Sequence, residues 1–279
     1  MIVDTHTHFY DPTRPEGVPW PGPDNALLYR SVLPEHYRAL AEPEGVTGTV
    51  VVEASAWLED NQWVLDLAAA DPFLLGLVGH IDPNRDGFAR ELERFAKHPR
   101  FCGIRCGGGY FQDVGAGSFL RDLQYLVERD LELDVLLSAA QFAELEKVAT
   151  ALPELRIVVN HIGHVPIDGK ELDSAWSEGI KRLAACERIY MKVSAVMEQS
   201  TVQPAPEDLN FYAPTLEAMW QAFGEDRLVY GSNWPVCERA GTFAASMQIV
   251  KEFFNAKGPQ AAEKYFCKNA KAVYKWGED

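Results

Sequence analysis

The chain has 279 residues, with 26 basic and 41 acidic side chains, a net charge of −15 at pH 7 and 47% hydrophobic residues. Such a chain folds as a globule and buries a large core without disulfide staples. Its acidity excludes a protein built to grip phosphate backbones, which needs a basic surface, so no nucleic-acid partner is expected. No apolar run approaches the roughly 18–20 residues of a membrane span, so no membrane partner is expected either. Ile2-Val3-Asp4 follows Met1 without a signal-peptide pattern, and the five cysteines (Cys102, Cys106, Cys186, Cys237 and Cys267) form no C-x-x-C pair. Reduced, mostly buried thiols in a cytoplasmic protein are the expectation.

In chain order, β-branched apolar runs recur at Ile2–Phe9, Thr47–Ala54, Leu74–Ile81, Phe101–Cys106, Leu131–Ser138, Arg156–Ile162, Ile189–Val196 and Arg227–Ser232. Their starts lie 25 to 45 residues apart, the length of a strand plus a crossover helix. Stretches of helical period lie between them. Asn61–Ala70 begins an apolar face at Trp63, Leu65 and Leu67; Phe88–Phe95 follows Asp86-Gly87, and Phe142–Val148 is a third. Runs such as Val50-Val51-Val52 and Ile157-Val158-Val159 are apolar at every position, as in parallel strands covered on both faces. Eight such units predict a closed (β/α)8 TIM barrel, one domain over residues 1–279, in preference to an open doubly wound sheet. The Pro-rich stretch Pro12–Pro23 then reads as a long loop after the first strand, and Gln199–Asp208 as one after the seventh. Loops at the C-terminal ends of barrel strands are where a site is built.

The candidate site residues stand at those ends. In Asp4-Thr5-His6-Thr7-His8 the alternation of a strand puts Asp4, His6 and His8 on one face. Two imidazoles there suit a divalent metal or a substrate carbonyl, with Asp4 orienting one ring from behind. Asn160-His161-Ile162-Gly163-His164 supplies a third imidazole in His161 and a fourth, deeper in the loop, in His164. Arg105 precedes Gly107-Gly108-Gly109 and offers a planar fork for a carboxylate beside a backbone that allows close approach; an ion pair at a strand end is the blander reading. Lys192, between Met191 and Val193, needs an anion, either Glu53 or a substrate. His80, ending the third strand, and Trp234 are candidate pocket walls, with core packing an equal reading for Trp234.

Several motifs resemble, in order and spacing, the amidohydrolase superfamily and its amidohydrolase-2 branch. They are D-x-H-x-H-x-x-D from Asp4 to Asp11, Gly103-Ile104-Arg105, Asn160-His161-Ile162-Gly163, Lys192-Val193-Ser194, Gly231-Ser232-Asn233-Trp234-Pro235-Val236 and Asn269-Ala270…Tyr274. Within that branch the chain is most similar to the lactonase group, fuconolactonase-like and pyrone-dicarboxylate-lactonase-like. The resemblance implies a hydrolase of lactones or related cyclic esters of sugar acids or dicarboxylic acids. His6, His8 and His161 would surround the carbonyl, and Arg105 and Lys192 would hold a carboxylate or hydroxyls. It further implies a small-molecule substrate, anionic or hydroxylated. It allows zinc at His6, His8 and His161 with no organic cofactor, and leaves a homo-oligomer open.

One position departs from the family. Where the relatives carry G-S-D-W-P, this chain has Asn233, and an amide cannot take a proton from water. Glu53, at the end of the second strand, is the sequence-level candidate to replace the lost carboxylate. Two other readings accompany the lactonase one. The first is a metal-dependent decarboxylase of the same superfamily. The second is a non-catalytic sugar-acid-binding barrel that lost its chemistry with the aspartate.

Overall fold

In the computed structural model, which describes residues 1–170 and 172–277, every predicted run contains a strand. These are β1 Ile2–Thr7, β2 Val46–Val52, β3 Leu74–Gly79, β4 Phe101–Gly107, β5 Glu132–Leu136, β6 Arg156–Val159, β7 Ile189–Val193 and β8 Leu228–Tyr230. They pair in parallel in the order β1 to β8 within one sheet. The sheet closes where β1 meets β8 and the chain beyond it. Asn233 N–H donates to the His6 carbonyl at 2.9 Å and His8 N–H to the Trp234 carbonyl at 2.9 Å, while the Thr5 hydroxyl donates to the Tyr230 carbonyl at 2.6 Å. The predicted (β/α)8 TIM barrel is the fold.

The helices α1 Pro34–Ala41, α2 Asp60–Ala70, α3 Phe88–Ala96, α4 Phe119–Glu128, α5 Phe142–Ala151, α6 Ser174–Ala184, α7 Leu209–Phe223 and α8 Phe243–Ala256 follow the strands in turn. Each turns an apolar stripe inward. On α3 the buried residues are Phe88, Leu92 and Phe95, and on α5 Phe142, Leu145 and Val148, spacings of three and four that keep them on one face. Helices on the outside and side chains within cover both faces of the strands, and all four residues of β6 are buried, which is why these segments lack polar alternation.

Beyond α8, the helix Asn269–Tyr274 packs Ala270, Val273 and Tyr274 against Val3, Val50, Val78, Val158 and Val229. Asn269 Nδ2 donates to the carbonyls of Glu225 and Leu228 at 2.8 and 2.9 Å. The Asn269-Ala270…Tyr274 motif is therefore structural: it covers the N-terminal end of the barrel.

The sequence reading carries every strand but β4 two or three residues too far at its C-terminal end. After β6, β7 and β8 the backbone leaves the sheet in left-handed conformations: His161, Ile162, His164, Ala195 and Asn233 have φ between 50° and 63°. Non-glycine residues seldom adopt this region, and such strain gathers at functional sites. The residues so expelled from the sheet build the barrel mouth.

Candidate active site

A cavity of about 340 Å³ opens at the C-terminal ends of the strands, walled in part by His8, Trp20, Arg105, His161, His164, Glu198, Gln199 and Asn233. His6 lies fully buried beneath it, its ring centroid 4.9 Å from that of His8 and 4.4 Å from that of His161. His164 stacks edge-on to His161 at 5.4 Å. Four of the five predicted histidines thus converge, together with Arg105 and Asn233.

Hydrogen bonds set what each imidazole presents. The Val52 carbonyl at 2.9 Å can only accept, so His8 Nδ1 carries the proton and Nε2 keeps its lone pair. The Lys192 ammonium donates three times: to the Thr5 carbonyl at 2.8 Å, to Asp134 Oδ2 at 2.6 Å and to His6 Nδ1 at 3.3 Å. His6 Nδ1 therefore accepts, and the ring's proton sits on Nε2, which is buried without a partner. His161 Nδ1 pairs with Ser194 Oγ at 2.8 Å.

All three rings are held neutral at pH 7. Burial pushes His8 down to about 3, with the Arg105 charge adding to it and hydrogen bonds to Val52 and Asn233 opposing it. Burial first, then Lys192, drives His6 well below the ordinary histidine range, and burial followed by the neighbouring His164 does the same to His161. Desolvation disfavours the charged form, and nearby cations add to that.

Three predicted roles are corrected by position. Lys192 is fully buried and lines no part of the cavity. Its anion is neither Glu53 nor a substrate but Asp134, equally buried and 2.6 Å away. A lysine inside a barrel needs a partner at its own depth, and β5 supplies one. Glu53 does not reach the cavity either. Its carboxylate takes the Arg105 Nε–H at 2.8 Å, and its side chain faces a narrow crevice beside Phe9, Tyr10, Asp60 and Trp63. Both readings of Arg105 hold at once: it is paired at a strand end and it walls the cavity, with Nη1 left unused by Glu53. Asp4 does not orient an imidazole. It accepts from the backbone N–H groups of His6 and Ser232 at 2.9 Å each and from the Tyr37 hydroxyl at 2.6 Å, tying β1 to the chain after β8.

Two pocket candidates fall elsewhere. His80 lines a separate surface cleft with Asp82, Arg85 and Glu91. Trp234 is completely buried against Phe9 and Tyr37, its Nε1–H donating to Glu238 at 2.9 Å; it packs the core.

Glu198 is the residue that sequence reasoning missed. It sits on the turn Met197–Gln199 just after β7, in the cavity wall. Its Oε1 accepts from Asn233 Nδ2 at 3.0 Å, and its Oε2 is buried without a partner. Burial pushes its carboxyl up to about 7, against the lowering effects of the Asn233 hydrogen bond and Arg239. One signal was present: a glutamate two residues after the predicted seventh strand, where a barrel builds its site. Trp20, from the Pro-rich loop, and Gln199 are further unforeseen walls.

The zinc that the resemblance allows at His6, His8 and His161 meets fewer donors than three. The His6 lone pair is engaged by Lys192, so the rings offer two nitrogens at most, against the three protein ligands of a usual catalytic zinc. Among the described residues no group of three His, Cys, Asp or Glu side chains is arranged to hold a metal ion. Also among the described residues, no helix is long and apolar enough to cross a membrane.

Comparison with known proteins agrees with this architecture. The chain is 29% identical to the L-fucono-1,5-lactonase of Burkholderia ambifaria over 98% of its own length and 95% of that protein's. It is 24% identical to the Burkholderia multivorans protein of the same name, covering 92% of this chain and 90% of that one. Its fold matches an amidohydrolase from Burkholderia multivorans solved with bound zinc at a TM-score of 0.87 and 22% identity, over 99% of this chain and all of that one (100%). The amidohydrolase family model matches residues 3–276, and the chain belongs to the amidohydrolase family.

Proposed function

We propose that this barrel, acting as one domain, hydrolyses a small hydroxylated or anionic lactone, with a sugar-acid lactone as the best fit. The observation that carries this reading is the convergence of neutral His8 and His161, Arg105 and Asn233 on one small cavity. Its volume is at the lower end for ligand sites and suits a single sugar ring. The full-length similarity to two lactonases supports it.

The parts divide the work as follows. The free Nη1 of Arg105 meets the charge that grows on the carbonyl oxygen as water attacks, the kind of preorganised donor that lowers such a barrier most. His8 Nε2, a lone pair at neutral pH, accepts from a hydroxyl or from the attacking water. Gln199 and His164, joined at 3.4 Å, face the ring hydroxyls, and Trp20 offers an apolar face. The chemistry of water attack is then completed by proton transfer, which Asn233 cannot perform.

The test is a panel of five- and six-membered aldonolactones and neutral aliphatic lactones at pH 7–8, followed by proton release, with and without a chelator. Faster turnover of the sugar lactones is expected. Binding without turnover across the panel supports the non-catalytic barrel instead. Activity lost to chelation and restored by zinc would show that a metal takes part in turnover. Nothing in the cavity favours the decarboxylase reading over hydrolysis.

A further inference from the structure

We propose that Glu198 is the proton-transfer residue of this site, with Asn233 as the group that holds and orients it; the proposal rests on the lactone-hydrolase reading above.

The geometry is specific. Among the residues that wall the cavity, Glu198 alone carries a carboxyl group. One of its oxygens is anchored by the Asn233 amide, and the other is buried with no partner. An unpartnered carboxylate oxygen is costly unless something binds it. Oε2 is covered in this conformation, while Glu198 as a residue is only partly buried in the cavity wall, so the proposed step includes a small side-chain rotation that turns the carboxyl to a water in the cavity. The amide at position 233 then has a purpose. A carboxylate there would stand about 3 Å from Glu198 and repel its ionised form, whereas the amide N–H donates to it.

The surroundings keep the group close to neutrality. The turn that carries it is apolar on its near side, through Val196 and Met197, both buried. Arg239 favours the anion, while Tyr212 and Cys237 are the titratable groups beside it; Glu198 raises both of their pKa values. The imidazoles of His161 and His164 share the cavity and are themselves neutral. A carboxyl poised close to the working pH is the form in which an acid–base catalyst is most effective.

The step balances without a further reactant. Water oxygen forms a bond to the lactone carbonyl carbon, the carbonyl π pair moves to its oxygen beside Arg105, and the ionised Glu198 takes one water proton. The tetrahedral intermediate then re-forms the carbonyl and breaks the ring C–O bond. The departing ring oxygen takes the proton from Glu198, which returns to its ionised form. The products are a hydroxy acid, ionised at neutral pH, and one released proton.

The experiment compares wild type, Glu198→Gln and Glu198→Asp on the best lactone of the panel, with circular dichroism to confirm folding. Glu198→Gln is expected to lower kcat by about 100-fold or more, the usual scale for a lost proton-transfer group, while KM changes by only a few-fold. The wild-type kcat/KM should rise with pH through a midpoint near 7 to a plateau above it, and that limb should vanish in Glu198→Gln. Glu198→Asp should recover part of kcat, with a shifted limb. Wild-type kcat in Glu198→Gln overturns the proposal and leaves the lactonase reading standing. A wild type inert on every lactone overturns that reading and the proposal with it. As a readout independent of turnover, the difference infrared spectrum of wild type minus Glu198→Gln should show one protonated carboxyl disappearing as pH rises through about 7. Disappearance near the ordinary glutamate value would also overturn the proposal.

Discussion

Replacing Lys192 by methionine removes one half of an ion pair that has no access to water. Lys192 and Asp134 are both 0% exposed and 2.6 Å apart, and without the ammonium Asp134 keeps the Tyr274 hydroxyl at 3.0 Å and the buried Glu132 carboxyl beside it, but no cation. Leaving such a charge unpaired costs about 3–5 kcal/mol. Urea unfolding at pH 7 should show a deficit against wild type of roughly 3–5 kcal/mol, from a total stability of about 5–15 kcal/mol. Lys192→Met/Asp134→Leu should recover most of the loss, because a matched apolar pair carries no stranded charge. A deficit below about 1 kcal/mol, well short of an unpaired buried charge, or a double variant no better than the single, would refute the reasoning. Lactone turnover should also fall, since His6 Nδ1 loses the donor that fixes its proton on Nε2.

Arg105→Ala should lower kcat on hydroxylated or anionic lactones by roughly 100-fold or more, the scale of one lost donor to a growing oxyanion; steady-state kinetics with an unchanged kcat would count against its role. Glu53→Gln should leave turnover within about 10-fold of wild type, well short of the roughly 100-fold of a lost general base, because its carboxylate contacts Arg105 and not the cavity. His6, His8 and His161 are all held neutral, so their folded-state pKa values lie below the unfolded one. Their contribution is present above about pH 6.5 and lost as pH falls, and calorimetry should show Tm dropping between pH 7 and 5, with a shallower slope in His8→Asn.

The architecture was legible in the chain itself. Strand period, the 25- to 45-residue rhythm and all-apolar runs such as Ile157-Val158-Val159 are local signals, and local signals report which segments pair and which faces are covered. The positions of His6, His8, His161 and Asn233 at strand ends were legible too, although a strand end alone does not decide which way a side chain turns, as Glu53 and His80 show. What the tertiary structure alone decided is which groups meet across the barrel. Lys192 on β7 found Asp134 on β5, Glu53 turned to Arg105, Trp234 went to the core, and Glu198 came in from a turn to stand against Asn233. None of these pairings follows from spacing along the chain. They depend on how far each side chain reaches once eight strands share an interior, and on the cost, in that dry interior, of leaving any charge without a partner.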